Sequence, residues 1–343
     1  MSDKTDSPRV QRTISNPPGL DLILSIGVVG NCVRLIRCLE SIFNDPDPDI
    51  TFAVIIVANG CQTDALSALQ QQFRSIRVIR YEHALGWTRT HNQVLRTANS
   101  RYVLILDDDT LVHPGTLHGM VDFMDHYPMV GVAGCRTVNP DGSFQQICGV
   151  DHSLRSELLY ALKLSSFWPK RLCREAKAWQ EVDWLNGSFL LARSAAIRQV
   201  GLLDDFYYTF LSEPDWCYRF RLAGWKVAYV PEYSIIHVGR EHSIMSRVKS
   251  YKNLIRWHVN RYYFFRKHYG QGTMNLLRPI MVIGALVRLG FFSIVFLANP
   301  RRRSEAGPKV RAYLRVIGLS LSPTPYRLPQ ELFQDSDLGS AAS

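Results

Sequence analysis

Residues 101–114, RYVLILDDDTLVHP, run an apolar stretch straight into three consecutive aspartates, Asp107, Asp108 and Asp109. Tyr102–Leu106 has the length and composition of a buried strand. Carboxylates stacked at the end of such a strand repel one another and raise each other's pKa unless a cation neutralises them. An oxygen-only donor set suits a hard ion, Mg²⁺ or Mn²⁺. Magnesium in particular is commonly held by one or two carboxylates together with substrate phosphates. The competing reading is a solvated acidic turn leading into the next helix.

The elements that must position this triplet alternate. Leu20–Val29 reads as a strand, Val33–Ile42 has helical apolar spacing, and Thr51–Val57 is a second strand ending at Asn59-Gly60. Ala65–Phe73 is helical, Ile76–Tyr81 a strand, and Thr88–Ala98 helical before the Tyr102–Leu106 strand. Short strands alternating with helices of this length predict an α/β layer with a Rossmann-like sheet flanked by helices. Its ligand crevice lies at the carboxyl ends of the strands. Asn59-Gly60, Gly86 and the aspartates all fall just past such ends. Further strands are expected near Val130–Cys135 and Phe144–Val150, with Ser153–Trp179 a helical or loop excursion. A dinucleotide-binding dehydrogenase needs GxGxxG after the first strand, and Gly27-Val-Val-Gly30 lacks that spacing.

With 343 residues, 46% hydrophobic and 20% charged, the chain has ample length for a core and is globular. Seven scattered cysteines without CxxC spacing fit buried thiols in a reducing cytosol better than a disulfide framework or a zinc site. The opening residues 1–18 are polar and resemble no signal peptide; a disordered arm is expected there, and a flexible tail over 321–343. The net charge of +10 is uneven: residues 240–315 carry sixteen Lys/Arg against two acids, and the remainder is mildly acidic. A basic third implies an anionic partner. A membrane surface is favoured over nucleic acid, because Pro279–Asn299 is nearly all apolar and is followed by Arg301, Arg302 and Arg303. Arg288 interrupts that run, so a helix lying on the bilayer is expected, spanning and core burial being the alternatives.

Four more segments complete the pattern: IIVANGCQTD at 55–64, YEHALGWTRTHNQ at 81–93, VDWLNGSFLLARSAAIRQVG at 182–201, and LDDFYYTFLSEPDWCYRFRLAGWKVAYVP at 203–231, followed by SIIHVGREHS at 234–243. In this order, with LILDDDT between the second and third, residues 20–270 resemble the family 2 glycosyltransferases, most closely the rhamnosyltransferase-type branch. The resemblance implies the GT-A fold, a nucleoside-diphospho-sugar donor (dTDP- or UDP-linked), a divalent cation and inversion at the anomeric carbon. It divides the chain into a catalytic domain over 19–265, with a nucleotide-binding half to 135 and an acceptor half beyond, and membrane-associating helices over 266–320.

By the same resemblance the metal contacts fall on Asp107 and Asp109, with His237 completing the metal or diphosphate site and Asp108 near the ribose. Asn59 is placed to hydrogen-bond the base, although Ala58 stands where relatives carry an acid. Gly86 and Asn92 match a donor-binding segment whose usual first Asn is missing near Ala84. Asp183, Trp184, Asn186 and Gly187 match the wall of the donor-sugar and acceptor site. Relatives carry Glu-Asp and then Asp two residues on; here Ser212-Glu213-Pro214-Asp215 holds that place, so Glu213 is assigned as general base with Asp215 second. Pro214 at a first helical position makes Glu213 the expected N-cap, and an ion pair with Arg219 is a sufficient structural account of Asp215.

The function this implies is transfer of a sugar, rhamnose first, to a lipid-linked or polysaccharide acceptor by an enzyme held peripherally on the cytoplasmic face of the plasma membrane. Galactofuranose or glucose as the sugar, and a degenerate sugar-nucleotide-binding scaffold, are the alternatives. The departures at Ala58, Ala84 and Glu213 favour the scaffold.

Overall fold

The structure is a computed structural model that describes residues 19–45, 50–149, 152–164, 173–238 and 251–327. The expected arm and the end of the expected tail lie outside the described residues. The nucleotide-binding half alternates as anticipated: β1 (Leu20–Val29), α1 (Val33–Phe43), β2 (Phe52–Asn59), α2 (Thr63–Gln72), β3 (Ile76–Tyr81), α3 (Trp87–Leu95) and β4 (Ser100–Asp107). Next come β5 (Thr110–Val112), α4 (Thr116–His126), β6 (Val130–Val138), β7 (Cys148–Gly149) and α5 (Leu154–Ala161). They are followed by β8 (Gln180–Glu181), β9 (Trp184–Leu185), β10 (Phe189–Arg193), α6 (Ser194–Val200), α7 (Ser212–Leu222) and β11 (Lys226–His237). Two helices, α8 (Tyr251–Ala298) and α9 (Arg303–Leu321), close the described chain.

The main sheet has the order β3-β2-β1-β4-β10-β6-β11-β5, with β8 on β11. Strands β3, β2, β1 and β4 are parallel; β10 is antiparallel to both β4 and β6. Their interior reads as continuous apolar runs because helices cover both faces. Leu22, Leu24 and Ile26 point into one cluster with Leu104 and Leu106, and Ile105 and Val103 into the opposite one. The mixed sheet flanked by helices is the predicted architecture.

Two details differ from the expectation and a third adds to it. The stretch over 144–150 yields only the two-residue β7, paired to β9 in a small second sheet. The His237 strand is the end of a twelve-residue strand that passes Pro231 with an irregularity between Val230 and Ser234. Cys148 and Cys173 are disulfide-bonded, with Cα atoms 6.5 Å apart, which corrects the expectation of thiols throughout. Both belong to the apolar cluster that packs β7 against β9. The other five cysteines are free, and four of them are buried.

The long helix α8 crosses the expected boundary at 265/266 without interruption and breaks its geometry at Gly270 (φ 82°, ψ 173°). Before the break it packs aromatic side chains on the catalytic body. Beyond it, Met274, Leu277, Met281 and Ala285 are buried while Leu276, Ile283, Val287, Ile294 and Leu297 face solvent. Arg288 is turned inward, donating to the carbonyls of Tyr160 (2.8 Å), Ala161 (3.1 Å) and Gly284 (3.0 Å). The arginine that argued against a spanning helix is therefore a fastener to α5. One helix among the described residues, α8, is long and apolar enough to cross a membrane.

Candidate functional site

Strand register builds the centre. β11 runs antiparallel to β5 with His237 opposite Thr110, so the imidazole is delivered beside Asp109; the Val238 N–H donates to the Asp109 carbonyl at 2.8 Å. His237 Nε2 lies 3.0 Å from Asp109 Oδ1 and 3.6 Å from Asp107 Oδ2. One ligand atom from each of the three residues falls within 4.8 Å of the others.

The tautomer follows from a neighbour that sequence reasoning missed. Gln145 Nε2 donates to Asn139 Oδ1 (2.6 Å) and to the His237 carbonyl (3.1 Å), which leaves its Oε1 as acceptor 2.9 Å from His237 Nδ1. Nδ1 must carry a proton to satisfy that contact. Nε2 then faces the two carboxylates, a contact that either a proton on Nε2 or a bound cation would satisfy. Two carboxylates and an imidazole are a fitting donor set for a divalent metal. Nothing in the sequence marks Gln145, one of two adjacent glutamines in a largely polar loop.

Asp108 lies outside this set of possible ligands. Burial first, then its two neighbouring carboxylates, push it up to about 7. Arg34 of α1, another residue the sequence did not single out, lies 3.4 Å from Asp109 Oδ2. The Trp87 indole donates to Asp107 Oδ1 at 3.3 Å, and a Cβ added at Gly187 would fall inside the Trp87 ring. Gly187 in turn donates its N–H to Glu213 Oε1 at 3.2 Å, while Ser212 Oγ donates to Oε2 at 2.6 Å. Asp107, Trp87, Gly187 and Glu213 thus form one connected line from the metal set to the expected base.

The cap expectation for Glu213 is corrected. Leu211, in the left-handed region (φ 60°), is the N-cap, and Ser212, Glu213 and Pro214 form the first turn of α7. Pro214 still falls where an N–H lacks an intrahelical partner, so the helix tolerates it. Glu213 remains at the positive end of the helix dipole, where an anion is favoured.

Asp215 is more than a surface pair. It is fully buried, and Arg219 (2.9 Å), Lys267 (2.6 Å) and His268 (2.7 Å) all point at it. Burial raises its pKa, but His268, Arg219 and Lys267 together outweigh that and hold it below the usual carboxylate range. The residue binds α8 to α7.

Several expected donor contacts are engaged inside the protein. Asn59 is buried, its Nδ2 donating to Val57 O (3.1 Å), Val28 O (3.3 Å) and Thr90 Oγ1 (3.3 Å), and its Oδ1 accepting from Leu85 N (3.3 Å). It holds the strand ends and the loop before α3 together. Asn92 likewise grips Leu203 through both carboxamide atoms and reaches Asp205 Oδ1 at 2.7 Å. Gly86 (φ 84°) is required because a Cβ there would strike the Tyr208 ring. Asp183 pairs with Arg221 at 3.0 Å, and Trp184 packs on Gly149. Asn186 Oδ1 accepts from Ser188 N (2.9 Å) and Ser188 Oγ (2.6 Å), fixing the turn that presents Gly187.

The model of the glycosyl transferase family 2 matches residues 31–170, and that of the glycosyl transferase family group 2 matches residues 102–317. The chain is 26% identical over 265 residues to the N-acetylglucosaminyl-diphospho-decaprenol L-rhamnosyltransferase of Mycobacterium tuberculosis, covering 69% of this chain and 85% of that one. It is 33% identical over 78 residues to the rhamnosyltransferase WbbL of Escherichia coli, 23% of this chain and 28% of that protein. The mannosyltransferase PcManGT of Pyrobaculum calidifontis, solved with GDP-Man and Mn²⁺, superposes with a TM-score of 0.54 at 13% identity over 90% of both chains. GalNAc-T7, solved with UDP, GalNAc and Mn²⁺, does so with a TM-score of 0.52 at 13% identity, over 74% of this chain and 51% of that one. The fold is the expected GT-A fold, and the chain belongs to the family 2 glycosyltransferases.

Proposed function

We propose that this glycosyltransferase moves rhamnose from a dTDP- or UDP-linked donor to a hydroxyl of a lipid-linked or polysaccharide acceptor, with inversion. The observation that carries the reading is the convergence of Asp107, Asp109 and His237 at one point, tied through Trp87 and Gly187 to Glu213. Similarity to two rhamnosyltransferases supports the sugar, and the name of the mycobacterial relative supports a lipid-diphosphate acceptor.

A divalent metal, Mg²⁺ or Mn²⁺, held by Asp107, Asp109 and His237 would supply charge neutralisation for the departing diphosphate. Gln145 keeps the His237 lone pair directed at that position. Glu213 takes the acceptor proton; its hydrogen bonds from Gly187 and Ser212 fix the carboxylate while each oxygen retains acceptor capacity. Asp215, clamped by Arg219, Lys267 and His268, is the positioning residue behind it. Asp183 and Trp184 wall the sugar side, and the Asn186 turn presents Gly187 there. The exposed apolar stripe of α8, followed by Arg301–Arg303, supports peripheral attachment to an anionic bilayer on the cytoplasmic face.

The test is transfer from dTDP-rhamnose, UDP-glucose and UDP-galactofuranose to a short-chain prenyl-diphospho-sugar in Mn²⁺. Rhamnose transfer alone is the expected result. Transfer of another sugar replaces the donor assignment. Folded protein that neither transfers nor hydrolyses any donor returns the scaffold alternative.

A further inference from the structure

Where α5 meets α8 the protein buries two guanidinium groups against a single carboxylate. Arg261 pairs with Glu157, and both side chains are almost fully buried, 3% and 2% exposed. The other oxygen of Glu157 faces His152 Nδ1 at 3.0 Å. The second guanidinium, that of Arg288, sits 4.6 Å over the Tyr160 ring, and Arg261 sits 4.8 Å from the same ring. His258 stays neutral: burial first and Arg288 second push its pKa down to about 3. One positive charge is therefore left without a counter-charge among the described residues.

The hydrogen-bond ledger of this cluster is also open. Among the described residues, Arg261 Nε and Nη1, the Trp257 indole N–H and His258 Nδ1 have no hydrogen-bond partner, and neither does Glu157 Oε2. Trp257 and Arg261 are four residues apart on one flank of α8, and the guanidinium lies 5.8 Å from the Trp257 ring. Buried donors left unpaired cost about 1–3 kcal/mol each, more when charged, so such a set marks a place where an acceptor belongs. Burial, with Arg288 second, brings the Arg261 pKa down to about 9.

We propose that Arg261 and Trp257 form a binding site for a phosphoryl group, separate from the metal centre. A guanidinium and an indole N–H can donate to different oxygens of one tetrahedral acceptor, and Arg is the side chain best matched to phosphate. The proposal rests on the glycosyltransferase reading only for the source of that group: the diphosphate of a lipid-linked acceptor. Beyond Gly270 the same helix carries the exposed Ile283, Val287 and Ile294, an apolar track on which a prenyl chain leaving the site can lie. Free pyrophosphate offers the same chemistry without the chain.

The test is calorimetric titration of the full-length protein with inorganic pyrophosphate and with farnesyl diphosphate, both in EDTA so that the Asp107–Asp109–His237 centre contributes nothing. Saturable binding is expected, weakened roughly tenfold by Arg261→Lys and by Trp257→Phe, each of which removes donors but keeps bulk. Tighter binding of farnesyl diphosphate assigns the lipid source, and equal binding of the two ligands assigns a free phosphoryl anion. No binding in EDTA, or affinities unchanged in Trp257→Phe with its melting temperature preserved, overturns the site. Loss of Mn²⁺-dependent donor binding with EDTA-insensitive binding intact would instead strike the donor-site reading alone.

Discussion

Gln145 and His237 are joined twice, by a hydrogen bond from Nδ1 of the imidazole to the carboxamide oxygen (2.9 Å) and by one from the carboxamide nitrogen to the His237 carbonyl (3.1 Å). This pair decides which ring nitrogen faces Asp107 and Asp109. Gln145→Leu should weaken metal affinity about 10–100-fold, the usual effect of losing an orienting partner. Mn²⁺ titration followed by donor binding measures it. Gln145→Glu, which keeps an acceptor toward Nδ1, should recover most of the loss.

The carboxylates themselves give the sharper test. Asp109→Asn should remove metal-dependent donor binding and turnover together, because the remaining donors no longer neutralise a divalent ion. Donor affinity in the wild type that EDTA leaves unchanged would dispose of the metal centre.

Glu213→Gln should lower kcat by roughly 10²–10⁴-fold with donor affinity little altered, since a base acts only in the transition state. The carboxamide oxygen can still accept from Gly187. Single-turnover rates under saturating donor and acceptor are the measurement, and near-normal turnover would reassign the base.

Asp215→Asn should behave as a stability mutant. Removing the carboxylate leaves Lys267 and Arg219 facing a neutral group inside the protein, a loss of about 3–5 kcal/mol. Because the folded-state pKa of Asp215 lies below its unfolded value, its contribution is present at neutral pH and lost as pH falls below about 4. Urea unfolding at pH 7 and pH 3 should show the wild type and variant converging at the lower pH.

Membrane attachment can be probed without cutting the chain. Deleting residues from 278 onward would strip Met281, Ala285 and Arg288 from their packed positions, so substitution is the cleaner test. Ile294→Ser with Leu297→Ser should reduce sedimentation with anionic vesicles while leaving donor binding intact. Undiminished binding would place attachment elsewhere.

The nucleotide-binding half was legible because its strands are short apolar runs separated by helices of matching period, a pattern set by local burial alone. The aspartate triplet declared itself for the same reason, as charge at the end of a buried strand. His237 was found through a family motif, but its role depends on the β5–β11 register, which places residues more than a hundred positions apart side by side. The internal hydrogen bonds of Asn59 and Asn92 could not be read in advance, because a polar residue looks the same in sequence whether it faces a ligand or the interior; only packing fixes the direction. Asp215 and Arg219 announced an intrahelical pair, yet Lys267 and His268 arrive from a distant helix and convert it into a buried junction. The sequence alone determined which chemistry was available and the layered fold that carries it. Long-range packing decided which of those groups meet, since a side chain's partners depend on strand register and helix docking that no local pattern encodes.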